Sequence, residues 1–328
     1  MTDIVIDWVA HHALASPTKV ATIDLASGRR QNYAEMHDRV GRIAQFLRNA
    51  GVEKGDRVGL IALNSSDVLD IIFATWRIGA VHLALNFRLT PPELAFILGD
   101  ADPKLVIADQ VFSELVEALQ GQTPGVRWVE TDGLGGETEF ESAISELDSV
   151  EKIVPMVPAD QAMLMYSSGT TGRPKGVVLT HGNIIAAVIN EAINFEADRN
   201  TVSYAVMPLF HIGAMMGFSV PAMFFGGTAV IERAFEPEAM LNAITSKELG
   251  VTHFLGLPAI YGALAMLPDW KTADFSRIII AAGGAEPMPE PLLKAWYEHG
   301  VPIVEVLSLI HISEPTRPTR ASRMPSSA

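Results

Sequence analysis

The chain has 328 residues, 48% of them hydrophobic, with no cysteine and a formal net charge of −14. That length is more than one ordinary core requires and predicts two subdomains. The acidity argues against a nucleic-acid surface, and the missing thiols exclude disulfides and an enzyme-bound thioester. Asp3 and Asp7 interrupt any signal-peptide pattern near the start, so a cytoplasmic location is expected.

In chain order, Val5, Trp8, Val9, Ala13 and Leu14 predict a short helix over 5–15, and Val20–Ile23 a strand turning at Ser27-Gly28. Met36, Val40, Ile43, Ala44 and Leu47 have helical spacing within Tyr33–Ala50, with Gly51 as the stop. Arg57–Leu63 is apolar on both faces, as in a parallel sheet. Asp67–Arg77 reads as a helix, Thr90 as the cap of another with Pro91 and Glu93 behind it, and Leu105–Ile107 as a strand. This alternation predicts an α/β fold. From Gln122 to Pro158 the periodicity fades into acidic, Gly/Pro/Ser-rich sequence, including Glu137, Glu139 and Glu141, which is read as a surface connection.

Ala162–Met165 reads as the end of a buried strand, and the stretch Tyr166–His181 follows it. Ser167, Ser168, Thr170 and Thr171 supply hydroxyls, Gly169 and Gly172 let backbone N–H groups approach a ligand, and Lys175 adds a cation after Pro174. Successive N–H groups in such a turn form an anion nest, so the composition suits an oligophosphate. The pattern is neither a Walker A loop, because Pro174 precedes the lysine, nor a Rossmann fingerprint. A polar turn between two strands is the bland alternative.

Thr180 or Asn183 starts a helix reaching about Ile193. Asn200–Ile231 carries no formal charge and is long enough to cross a bilayer. Pro208, His211, Gly213, Gly217, Pro221 and Gly226-Gly227 break it, however, into a strand, a loop, a helix of about three turns and a second strand. Val202–Val206, Gly227–Ile231, Thr252–Leu255, Ile278–Ala281 and Pro302–Val306 are the remaining predicted strands, with helices over 238–248, 258–267 and 290–299. His11, His12, His181, His211, His253 and His299 lack metal-ligand spacing.

The segment Tyr166–Gly176 resembles the phosphate-loop signature of the adenylate-forming superfamily: acyl-CoA synthetases, peptide-synthetase adenylation domains and firefly-type luciferases. Met207–Gly213 resembles that family's Pro-Leu-Phe-His-x-x-Gly element, and the resemblance implies that His211 stands at the mouth of an acyl pocket. Phe210, Ile212, Met215, Met216 and Ser219, with Phe218 beside them, are candidate lining residues; plain core is the competing reading. Ile280–Met288 resembles the adenine-contact segment, which implies that Gly284, Ala285 and Glu286 edge the base. His253–Pro258 resembles the strand that floors the site, and Phe254, Gly256 and Gly283 join the pocket candidates.

The resemblance implies a large N-terminal adenylation domain over 1–306, built from two α/β subdomains with mixed, mostly parallel sheets. It implies ATP, Mg²⁺ and coenzyme A as reactants and cofactors, and a small carboxylic acid as partner. Lys175, His211 and Thr170 are the implied catalytic residues, with Thr170 also toward Mg²⁺. The apolar, Met-rich candidates favour a fatty or aryl acid. A non-catalytic nucleotide- or acyl-binding module and a peptide-synthetase-type adenylation domain stay open. After Val306 the family expects Tyr-Gly-x-Thr-Glu, whereas Leu307–Arg317 resembles a translated sequencing adapter. A non-native, disordered tail over 307–328 is therefore expected, with the C-terminal lid and its lysine missing, an open sheet edge at Val306, and no acyl-CoA formation by this chain.

Overall fold

The computed structural model describes residues 4–150, 153–167 and 174–306. Its strands are β1 Val20–Asp24, β2 Arg30–Asn32, β3 Arg57–Ile61, β4 Val81–Ala84, β5 Leu105–Asp109, β6 Arg127–Thr131 and β7 Gln161–Ser167, then β8 Lys175–Thr180, β9 Val202–Ala205, β10 Thr228–Ile231, β11 His253–Gly256, β12 Ile280–Gly284 and β13 Ile303–Val306. They form a seven-stranded sheet, β13-β12-β11-β9-β10-β1-β2, and a six-stranded sheet, β6-β5-β3-β4-β7-β8. Every pairing is parallel except β1 with β2 and β7 with β8. The predicted α/β class with two mixed, mostly parallel sheets is the one observed.

Strand alternation sends side chains to two faces, and both faces are covered. Leu60 of β3 enters the largest core, shared between the sheets, which also takes Ala205 of β9 and Ile231 of β10. The helices Tyr33–Asn49 and Ser66–Arg77 fill the space between. Ile61, next to Leu60, enters a second core under the helices Pro91–Ala101 and Ser113–Gln120. On the far side of the larger sheet, helices Pro237–Thr245, Pro258–Ala265 and Glu290–Glu298 cover a third. The layers thus alternate helix, sheet, helix, sheet, helix.

Helix boundaries follow their caps. Glu93 returns to the Thr90 N–H at 2.8 Å, closing the predicted capping box. Thr180 and Asn183 cap His181–Phe195 reciprocally, at 3.0 and 3.1 Å, so both predicted starters serve. The segment 122–158 is not the bare connection expected. β6 pairs with β5 along its whole length, and the helix Glu139–Ser145 buries Phe140 and Ile144 while Glu141 accepts from Arg39 at 3.0 Å. No helix among the described residues is long and apolar enough to cross a membrane.

Two buried ionisable side chains stand out. Arg77 donates from Nε to Asp7 at 2.8 Å and from Nη1 to the His37 carbonyl at 3.1 Å, while Asp7 also caps Trp8–Ala15 through the Ala10 N–H at 2.9 Å. Glu191 is 6% exposed, and its Oε2 has no hydrogen-bond partner among the described residues. Desolvation pushes its carboxyl up from 4.5 to about 9. A folded value above the unfolded one means the folded state holds the proton more tightly. Stability from this group is therefore whole below about pH 4.5 and is lost as pH rises towards 9, at about 1.4 kcal/mol per pH unit. We expect Glu191→Gln to gain about 3 kcal/mol over the wild type at neutral pH. Urea unfolding near pH 5, 7 and 9 checks it; parallel stability curves for the two proteins would overturn it.

Candidate active site

In open α/β sheets the crevice outside the strand carboxyl ends, where the strand order reverses, receives ligands. From β9 the chain adds β10 on one side and then crosses to β11 on the other. Met207–Gly213 therefore leaves the larger sheet at its reversal point. Here segments just past the carboxyl ends of strands from both sheets touch. Asn64, just past β3, donates to the Met207 carbonyl at 2.9 Å and the Glu232 carbonyl at 3.2 Å, and accepts from the Leu209 N–H at 2.8 Å. Arg233, just past β10, reaches Asp109 at 2.7 Å and the Asp132 carbonyl at 3.0 Å. Phe87, past β4, meets Phe210 edge-on at 4.8 Å between centroids.

His211 is the N-cap of the helix Ile212–Ala214, and its Nδ1 accepts from the Gly213 N–H at 3.2 Å. An imidazole that accepts at Nδ1 carries its proton at Nε2 when neutral. The ring reaches solvent but is crowded by protein. That desolvation, with the Arg88 charge added, holds its pKa below the usual imidazole value. Arg88 itself lies over both the Phe87 and Phe210 rings at 5.9 Å. His211 is thus a neutral N–H donor at neutral pH, beside an exposed cation.

The helix after His211 shifts its hydrogen bonding: Val220 N–H returns to the Met215 carbonyl, five residues back, through the π-turn Met215–Ser219. This shift decides which side chains face the crevice. A narrow cleft is lined by Tyr204, Met207, Ala214, Phe218, Ser219 and Leu255 among others. Phe218 and Ser219 reach it, whereas Met215 and Met216 are buried in the core shared by the sheets. Alternation along β11 separates Leu255, in the cleft, from Phe254, which packs against Tyr261 in the outer core.

β12 ends in Gly283 and Gly284. A Cβ on Gly283 would lie 2.5 Å from the Met288 methyl, and one on its register partner Gly256 3.0 Å from the Tyr261 ring. Gly256 is thus crowded by the helix Pro258–Ala265, and Gly283 by the turn that carries Met288. Ala285 differs: its φ is +67°, and unlike Asp102 and Glu196, the other described non-glycines with positive φ, it ends no helix. Such a conformation costs about 1–3 kcal/mol and clusters at ligand sites. The turn is held from behind, where Glu305 accepts from the Met288 N–H at 2.9 Å. Ala285 and Glu286 are exposed and Gly284 is half-buried.

Ser168, Gly169, Thr170, Thr171 and Gly172 lie outside the described residues, as does everything after Val306. Their flanks are clear. β7 and β8 form an antiparallel hairpin with Ser167 opposite Lys175, both exposed. β7 runs beside β4 in parallel, with Met165 next to Ala84. Tyr166 donates to Asp100 at 2.5 Å, and a Cβ on Gly176 would meet the Tyr166 ring at 3.3 Å. Sequence reading missed Asn64, Arg88 and the Tyr166–Asp100 pair; an asparagine ending a parallel strand was the one available signal. No group of three or more His, Cys, Asp or Glu suited to a metal occurs among the described residues.

Comparisons with known proteins agree with this fold. The chain is 34% identical over 302 residues to feruloyl-CoA synthase of Amycolatopsis sp, covering 91% of this chain and 57% of that protein. It is 29% identical over 309 residues to long-chain-fatty-acid–CoA ligase FadD13 of Mycobacterium tuberculosis, covering 93% and 60%. The chain thus spans less than two thirds of either relative. Among solved structures, the inhibitor-bound N-terminal domain of FACL13 from Mycobacterium tuberculosis superposes with a TM-score of 0.86 at 27% identity, covering 92% of this chain and 75% of that one. The profile of the AMP-binding enzymes matches residues 9–309, and the protein belongs to that family.

Proposed function

We propose that the protein carries the adenylating site of an ATP-dependent acid–CoA ligase for fatty or aryl acids. A carboxylate oxygen attacks the α-phosphorus of ATP, and the bond to pyrophosphate breaks. The thiolate of coenzyme A then attacks the acyl carbon, and AMP departs with the electrons of the acyl–oxygen bond. The observation that carries this reading is His211, a neutral donor one turn before Ala214, which lines the cleft at the reversal point of the larger sheet. Its Nε2–H can hold a carboxylate oxygen without quenching its nucleophilic charge. Lys175 stands at the arm of the adjoining hairpin, suited to the phosphates. Magnesium is expected to enter with the nucleotide; Thr170, the residue read toward it, lies outside the described residues. Phe218, Ser219 and Leu255 are the side chains that would read the acid.

ATP–pyrophosphate exchange over a panel of fatty and aryl acids tests the reading. It is run on this chain and on a chimera completed with the C-terminal region of feruloyl-CoA synthase. Acid-dependent exchange is expected from the chimera; ATP binding with no exchange for any acid would overturn the ligase reading in favour of a binding module. His211→Ala should change the acid profile about tenfold or more while leaving ATP affinity nearly intact. Altered ATP affinity with an unchanged acid profile would sink that role.

A further inference from the structure

We propose that Asn64 is a positioning residue: a buried clasp by which the smaller sheet sets where the larger one presents His211. Asn64 is 4% exposed and follows β3, yet its side chain bonds to three backbone groups just past strands of the larger sheet. A primary amide has two N–H groups and one carbonyl oxygen. Here the donors take the Met207 and Glu232 carbonyls, and the oxygen takes the Leu209 N–H. The bonded groups end β9 and β10, the neighbouring strands on which the crevice opens. Two residues beyond Leu209 the chain reaches His211, whose other side is fixed by its own cap to Gly213. The backbone before the imidazole is therefore held by one side chain from the opposite sheet. Leu209 is itself 2% exposed, so water cannot replace the bond to its N–H.

No other side chain satisfies that set. Aspartate keeps the acceptor but sets a charge against two carbonyls, serine can make at most one or two of the bonds, and glutamine is a methylene too long for a buried site. Through Met207, which lines the cleft, the same clasp bears on the cleft wall. Loosening it moves the imidazole relative to Phe218 and Leu255, so acid preference should change before ATP binding does. The step from position to acid choice rests on the function proposed above.

The experiment separates the two. Asn64→Asp and Asn64→Ser are made in the full chain, their folding is checked by circular dichroism, and histidine side-chain NMR is recorded through a pH titration. The His211 resonances should shift, and those of His299, anchored at 2.6 Å to the Trp270 carbonyl far from the clasp, should not. Affinities for ferulate, decanoate and ATP are then measured calorimetrically. The ratio of ferulate to decanoate affinity should change about tenfold while ATP affinity holds within about twofold. If both histidines move, or neither does, the positioning role is overturned whatever the protein's function. If His211 alone moves and the acid ratio does not, positioning stands and its link to acid choice is overturned. Asn64→Gln, which keeps every polar group, should fall between the wild type and serine; a glutamine variant worse than serine would count against the clasp.

Discussion

Arg77→Leu should destabilise the protein by about 3–5 kcal/mol. The Arg77 side chain is 0% exposed and Asp7 6%, at 2.8 Å. Removing the guanidinium leaves a carboxylate in the interior without its cation, and removes the bond to the His37 carbonyl. The loss comes mostly from that stranded charge rather than from missing volume, and a second variant distinguishes the two. Asp7→Asn keeps the cap to the Ala10 N–H but carries no charge, so adding it to Arg77→Leu should recover a large part of the loss. Urea midpoints of the wild type, the singles and the double close the cycle. A loss below about 1 kcal/mol for Arg77→Leu, or a double as unstable as additivity predicts, would refute the account.

Lys175→Ala should slow ATP–pyrophosphate exchange in the completed chimera by about 100- to 1,000-fold, some 2.7–4 kcal/mol of barrier, with little change in acid affinity. Charge gathers on phosphate oxygens as pyrophosphate leaves, and a positioned cation is worth most at that moment. Lys175 opens β8 opposite Ser167 at the hairpin base, where the strand fixes its backbone and leaves its side chain exposed. Equal exchange rates with and without the lysine would remove it from the mechanism.

What could be read from the sequence was local. Thr90 and Glu93 announced their helix because a capping box is complete within one turn. β3 announced a parallel sheet because apolar residues fall on both of its faces. Asn200–Ile231 was divided correctly because its prolines and glycines interrupt it at loop positions. What escaped reading depended on partners far along the chain. β6, on a sheet edge, buries only alternate residues, and its acidic neighbour Glu141 looks like surface until Arg39 is beside it. Of the candidate lining residues, Phe218 and Ser219 line the cleft while Met215 and Met216 sit in the shared core, a division set by the π-turn and not visible in helical spacing. Asn64 carried no motif; only the folded chain brings Met207, Leu209 and Glu232 to it.

The larger sheet is also discontinuous in the chain. β1 and β2 belong to it, but β3 to β8 intervene and build the other sheet before β9 and β10 arrive. Thr22 lies beside Ala229, about two hundred residues later. At ordinary rates of synthesis β1 waits roughly 10–40 s for its partner strand to leave the ribosome. During that time it has only β2, and a lone hairpin is marginal in water. The smaller sheet, contiguous in sequence from β3 to β8, is therefore expected to fold first during translation, with the N-terminal hairpin a client for chaperones until β10 emerges.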